Sequence, residues 1–257
     1  MIEIKGLTCG YGNKMVLEDV SFTGDTGDII CILGPNGSGK STLIKTILGL
    51  LKPFKGEILV KNKDIKNWNW KERATKISYI PQSFGSTFQY KVMDIVLMGR
   101  TPYLNLISSP SKKDEQIAEK ALENLNILDL KDKIYSQLSG GERQLVKIAQ
   151  AIAQQSEIVI MDEPTNNLDF NNQVVILKHL KEWVSKGVTV IMATHYPEHA
   201  LLHGTKALLV KDGKVEEIEN PKENLKEEDL KDLYNIDLKV IELDSMNKGI
   251  KMCLPVY

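Results

Sequence analysis

GPNGSGKST, residues 34–42, is the stretch on which the reading of this chain turns. It fits the spacing Gly, four residues, Gly-Lys-Ser. Before it runs DIICIL (28–33), an apolar run of strand length. After it runs TLIKTILGLL (42–51), whose apolar residues recur at helical spacing. Strand, glycine loop and helix together form the context in which such a loop holds phosphate. The glycines let backbone N–H groups turn inward around phosphate oxygens, and the helix N-terminus adds partial positive charge at the same place. Lys40 is placed to reach a β- and a γ-phosphate, and the Ser41 hydroxyl to ligate Mg²⁺. A glycine turn that binds nothing would need neither these flanks nor the Lys-Ser pair.

The 257 residues suffice for one large domain or two small ones. Hydrophobic residues make up 42% and charged residues 26%, the balance of an ordinary soluble protein. The net charge of −1 and the lack of a basic stripe with interleaved aromatics give no reason to expect nucleic acid as a partner. Cys9, Cys31 and Cys253 are odd in number and far apart. They form no metal-ligand pattern and read as thiols of a reduced interior. The N-terminal MIEIKGLTCGYG lacks the apolar centre of a signal peptide, and no apolar run reaches the about 18 residues a membrane span needs. Work at a membrane would need another chain to supply the span.

Working outward, residues 1–12 and 15–28 read as strands joined by a turn around Gly12 and Asn13. GEILVKNKDI (56–65) and KISYIPQ (76–82) read as further strands, the second ending at Pro81. The pattern is broken over 83–90. VMDIVLMGRTP (92–102) reads as a helix stopped by its proline, and 104–110 as an exposed loop. SKKDEQIAEKALENLNI (111–127) is an amphipathic helix with Ser111 as N-cap and Asp114 and Glu115 in its first turn. GGERQLVKIAQAIAQ (140–154) is a helix opening on two glycines. EIVIMDEP (157–164) is an apolar strand ending in two acids. A helix over 174–185 and a strand over 188–195 follow, an order that implies a parallel sheet. KALLVKDGKVEEIE (206–219) is a hairpin turning at Asp212 and Gly213. A Lys- and Glu-rich tail from about 220 to 257 carries a helix over 227–234.

Two further groups carry chemistry. Four apolar residues precede Asp162 and Glu163, and an acid at the C-terminal edge of a parallel sheet faces the ligand crevice. Asp162 is expected to hold Mg²⁺, directly or through water, opposite Ser41, and Glu163 to polarise an attacking water. LSGGERQ (138–144) puts the Ser139 hydroxyl and the unhindered amides of Gly140 and Gly141 at a helix start. That is a second anion site, although Ser139 with Glu142 also makes a capping box. One triphosphate does not need two such sites in one chain, whereas a head-to-tail dimer does.

With these motifs in place, the chain resembles the nucleotide-binding subunit of ATP-binding-cassette transporters over nearly its whole length. Gly34, Pro35, Asn36, Gly37, Ser38, Gly39, Lys40, Ser41 and Thr42 resemble the family's Walker A, LSGGERQ its signature and IVIMDEP its Walker B. Gln82 is similar to the Q-loop glutamine, Asn167, Leu168 and Asp169 to the D-loop, and His195 to the switch histidine. Tyr11 is similar to the aromatic that stacks on adenine. NNLD stands where SALD or SGLD is commoner. The resemblance implies a P-loop NTPase (RecA-like) α/β core with a parallel sheet, an N-terminal antiparallel β subdomain and an α-helical signature subdomain at about 83–153, all one ATPase domain spanning 1–257. It implies ATP and Mg²⁺ as cofactors, with Ser41, Gln82 and Asp162 around the metal. Glu163 is then the catalytic base, His195 contacts the γ-phosphate and attacking water, and Gln82 senses Mg²⁺. Taken alone, Tyr11, Gln82 and His195 carry little signal, and His179, His199 and His203 are expected to be structural.

The implied assembly is a head-to-tail homodimer on transmembrane permease subunits at the cytoplasmic face of the membrane, served indirectly by a substrate-binding protein. The helical insert, about 83–137, is expected to form the groove for a permease helix. A soluble cassette acting on ribosomes or DNA ends is the alternative, but those relatives carry two cassettes or a long coiled coil. DIVLMGRTPYLN (94–105) and NNLDFNNQ (166–173) resemble the branch that serves importers of iron chelates, haem and cobalamin, which some oxyanion importers such as those for molybdate share.

Overall fold

The computed structural model describes residues 1–82, 89–105, 108–166, 168–243 and 250–256. In chain order its elements are β1 (Ile2–Tyr11), β2 (Lys14–Gly24), β3 (Ile29–Leu33), α1 (Lys40–Ile47), β4 (Lys55–Val60), β5 (Lys63–Asp64), α2 (Trp70–Lys76), β6 (Ile77–Ile80), α3 (Val92–Leu97), α4 (Lys112–Asn124), α5 (Gly140–Gln154) and β7 (Ile158–Asp162). Then come α6 (Phe170–Ser185), β8 (Thr189–Thr194), α7 (Pro197–His203), β9 (Lys206–Lys211), β10 (Lys214–Glu219), α8 (Pro221–Asn224), α9 (Glu227–Tyr234), β11 (Leu238–Leu243) and β12 (Ile250–Pro255). The fold is mixed α/β, with parallel strands and a helical region. The chain divides into two compact units, Met1–Asn67 with Trp183–Tyr257, and Trp68–Glu182. The helical subdomain expected at 83–153 lies within the second.

In the first unit, β1 pairs antiparallel with β2 on one side and β4 on the other, and β5 extends β4. A second set is centred on β3, flanked by β8 and β9 in parallel, with β10 antiparallel to β9. All residues of β3 and β8 are buried, as the unbroken apolar runs IICIL and TVIMAT require. Leu33 stands opposite Thr194 in the parallel register. Gly34 and His195 are therefore the first residues to leave adjacent strands at one edge.

In the second unit β6 runs parallel to β7, with Ile80 opposite Met161. Pro81 and Gln82 thus leave the same edge as Asp162 and Glu163. Helices α3, α4 and α5 pack against one another. A buried ion pair ties them: Arg100 Nε donates to Asp114 Oδ1 at 3.0 Å, and Arg100 Nη1 to the carbonyl of Ala153 at 2.7 Å. Hydrogen bonds from Ser111 and from Arg100 hold the Asp114 carboxyl down at about 2. Removing one partner of such a pair strands a buried charge at a cost of about 3–5 kcal/mol.

Several elements depart from the sequence reading. The strand expected over 56–65 is a hairpin, because Lys61 (φ 50°) and Asn62 (φ 61°) both enter the left-handed region of a tight turn. The helix expected to stop at Pro102 is α-helical only to Leu97 and continues as a 3-10 helix, Met98–Tyr103, with Pro102 inside it. Gly99 in this stretch packs closely: a Cβ there would lie 2.3 Å from the carbonyl oxygen of Gln150. Helix α6 starts four residues before Val174, since Asp169 Oδ1 accepts from the N–H of Asn172 at 2.8 Å and caps a polar first turn. Helices α7 and α8 and the β11–β12 hairpin carried no legible signal. The broken stretch over 83–90 falls largely outside the described residues, as do Leu106 and Ile107 of the expected loop and Asn167 of the expected D-loop.

Candidate nucleotide and hydrolysis site

In the first unit the loop from Gly34 to Gly39 links β3 to α1. Gly34 is closely packed: a Cβ there would sit 2.5 Å from the carbonyl oxygen of Val210 and 2.7 Å from Ser38 Oγ. Gly39, the N-cap of α1, has φ 112°, a conformation that L side chains rarely adopt. Lys40 is buried, and its Nζ donates to the carbonyls of Gly34 at 2.7 Å and Pro35 at 3.0 Å. Its charge is thereby held inside the loop. Ser38 Oγ is buried and has no hydrogen-bond partner among the described residues. A cradle that only glycine fits, a cation at its centre and an orphaned hydroxyl are what a loop shaped for phosphate contains. Ser41 is exposed and Thr42 buried on the first turn of α1, while Pro35, Asn36 and Gly37 form the exposed crest.

Tyr11, at the end of β1, is 48% exposed, and Lys45 Nζ lies 5.9 Å from its ring centroid. An exposed aromatic ring of this kind can stack on a planar base. His195 follows β8 with its ring 4.1 Å, centroid to centroid, from that of Tyr196. Its backbone carbonyl accepts from the hydroxyl of Tyr234 at 3.3 Å. His199 is buried, with Nδ1 2.8 Å from Thr194 Oγ1. The same Thr194 Oγ1 accepts from the N–H of Tyr196 at 3.1 Å. Burial first, then the other nearby histidines, push its pKa down to about 4.

In the second unit the parallel pair β6–β7 delivers the acids. Asp162 is 6% exposed at the end of β7, and burial together with its charge raises the Tyr79 phenol to about 12. Glu163 turns into the left-handed region with φ 50°, unusual for a residue other than glycine and a mark of functional sites. Its Oε2 accepts from Gln82 Nε2 at 2.5 Å and from the amide of Asn166. The two expected residues, Gln82 and Glu163, are therefore in direct contact. Asn166 is a partner that the sequence reading passed over; the only signal was its place three residues after the acid, in a proline turn.

The α5 start is a complete capping box: Glu142 N–H donates to Ser139 Oγ at 3.2 Å, and Ser139 N–H to Glu142 Oε2 at 2.8 Å. These bonds from Ser139 hold the Glu142 carboxyl below its usual range. Ser139 thus meets Glu142 through both its backbone and its hydroxyl. Nothing crowds a Cβ at Gly140, whereas at Gly141 one would lie 2.9 Å from Asn172 Nδ2. Asn172 in turn bonds to Asp169, so the expected signature and D-loop residues meet through it.

The profile of a family described as ABC transporter matches residues 17–166, more than half of the chain. This chain belongs to the ABC transporter family. It is the nucleotide-binding, ATP-hydrolysing subunit, and cassettes of this family form dimers and act with transmembrane permease subunits. An ATP-binding protein named for iron chelatin transport in Helicobacter pylori (strain J99) is 39% identical over 84% of this ABC subunit and 85% of its own length. A molybdate import ATP-binding protein of Haemophilus influenzae is 38% identical over 77% of the subunit and 73% of its own length. The structure of an inward-facing metal-chelate type ABC transporter superposes with a TM-score of 0.88 at 33% identity, covering 100% of the subunit and 97% of that chain. A dimeric bacterial ABC transporter cassette superposes with a TM-score of 0.76 at 29% identity, covering 85% and 98%. Among the described residues, no helix is long and apolar enough to cross a membrane.

Proposed function

We propose that this subunit powers the import of iron chelates or related metal complexes, such as haem or a corrinoid, from the cytoplasmic face of the membrane. The observation that carries the reading is the likeness, over the full length of the chain, to a metal-chelate type transporter. The relative named for iron chelatin transport supports it. Two copies would bind head to tail beneath two permease subunits, with a substrate-binding protein delivering the cargo.

In each copy Tyr11 would stack on adenine. The amides of residues 34–42 and Lys40 would hold the β- and γ-phosphates, Lys40 exchanging its loop carbonyls for phosphate oxygens. Mg²⁺ would be held by Ser41, Asp162 and Gln82; when bound, it neutralises developing charge on the phosphate oxygens. The donor set fits: exposed Ser41 and the Asp162 carboxylate are hard oxygen ligands, and such a site relies on one or two carboxylates plus the nucleotide itself. Glu163 would take the proton of the attacking water once Gln82 has moved off its carboxylate. His195 would contact the γ-phosphate and that water. Ser139, Gly140 and Gly141 of the other copy, with Asp169 beside them, would close the site. Phosphoryl transfer then draws on positioning and charge stabilisation more than on covalent chemistry.

Reconstitution with a permease and binding protein tests the cargo. ATP-driven uptake of an iron chelate or corrinoid is expected. Uptake of molybdate alone would favour the second reading, which the molybdate relative supports. Stimulation only by a sugar, peptide or amino acid would overturn both.

A further inference from the structure

The C-terminal segment reaches the turn after β8 through one hydroxyl. Tyr234, the last residue of α9, donates to the backbone carbonyl of His195 at 3.3 Å. His195 is the first residue to leave β8, beside the strand that leads into the glycine loop. Oη of Tyr234 therefore holds the turn that carries the imidazole. The bond goes to backbone, so it acts on where this turn sits rather than on side-chain chemistry.

The tyrosine is itself anchored. Leu230 and Leu233 of α9 are buried. The hairpin behind it is pinned at two points: Val240 N–H donates to Glu227 Oε2 at 3.0 Å, and Cys253 N–H to Glu198 Oε1 at 3.2 Å on α7. Helix α7 begins two residues after His195. Hairpin, α9 and the His195 turn thus form one linked set. Burial, with neighbouring Cys253 and Glu198, pushes the phenol well above its ordinary range, so it stays protonated and keeps its donor. Tyr234 lies outside the residues 17–166 that the family profile matches.

We propose that Tyr234 is a positioning residue for ATP hydrolysis, and that through its hydroxyl the segment 220–257 sets turnover. The inference rests on the reading of His195 as the group that meets the γ-phosphate. If Tyr234 served only to fill space, phenylalanine would replace it without consequence.

The test compares the full chain with Tyr234→Phe, His195→Ala and the double variant, measuring steady-state kcat and KM for ATP, single-turnover phosphate release and the thermal midpoint. Tyr234→Phe is expected to lower kcat roughly 5-fold, the factor set by one neutral hydrogen bond, with KM within about twofold and the midpoint close to wild type. On the His195→Ala background the same change is expected to have no further effect. Wild-type kcat in Tyr234→Phe, beside a defective His195→Ala, would overturn the role of Tyr234 and leave that of His195 standing. An equal fold-loss on both backgrounds would also overturn it. Wild-type turnover in His195→Ala would overturn the reading of His195 and the coupling with it.

Discussion

Gln82 Nε2 donates to Glu163 Oε2 at 2.5 Å, and the amide of Asn166 reaches the same oxygen. The proposed base is thus held by two neutral amides on the edge where β6 and β7 end together. Under the proposed roles Gln82 would have to leave this contact to sense Mg²⁺, and one side chain would then link metal arrival to release of the base.

Asn166→Asp tests that environment. It replaces a donor by a second negative charge and favours the protonated form of Glu163. The acid limb of the kcat–pH profile should move to higher pH. Turnover on that limb should fall about tenfold, as it would if the carboxylate bound its proton about ten times more tightly. An unmoved profile would show that Asn166 does not tune Glu163.

Ser139→Arg probes the composite site. The capping box places the Ser139 hydroxyl at the mouth of α5, with open space at Gly140. A long cation there should leave ATP binding within about twofold, yet prevent dimer closure on gel filtration and lower hydrolysis by about 10². A mixed dimer with Lys40→Ala should retain one intact site. Full activity in the Ser139→Arg homodimer would contradict the head-to-tail arrangement.

His199 gives a pH dependence whose sign is fixed by its neutrality. Its folded value of about 4 lies below the ordinary 6.5. The stabilisation is therefore complete above about pH 6.5 and lost as pH falls toward 4. Urea midpoints should decline over that window, with a total of about 3 kcal/mol. His199→Gln should flatten the slope; an unchanged slope would place the titrating group elsewhere.

The sequence made the phosphate loop, the acids and the signature legible because each is a local pattern: a fixed spacing between a strand and a helix. The boundaries of α5 were equally legible, since Ser139 and Glu142 form a self-contained cap. What escaped was non-local or shaped by close backbone approach. The turn at Lys61 and Asn62 lacks glycine, and the 3-10 stretch at Met98–Tyr103 holds its proline inside rather than ending at it. The hydrogen bond of Tyr234 to His195 joins residues 39 apart in sequence, and nothing in either neighbourhood announces it. Asn166 and Glu163 are close in sequence, but their contact depends on the left-handed turn at Glu163 itself.

The most direct test of the account is the hydrolysis rate of Glu163→Gln, measured as phosphate release alongside ATP affinity and gel filtration. This isosteric change keeps a hydrogen-bonding group beside Gln82 and removes only the capacity to take a proton. The account predicts ATP binding within about twofold of wild type, hydrolysis lower by about 10² or more, and accumulation of an ATP-bound dimer. Lys40→Ala should instead lose nucleotide binding. Turnover near wild type in Glu163→Gln would contradict the assignment of Glu163 as the base and the mechanism built on it.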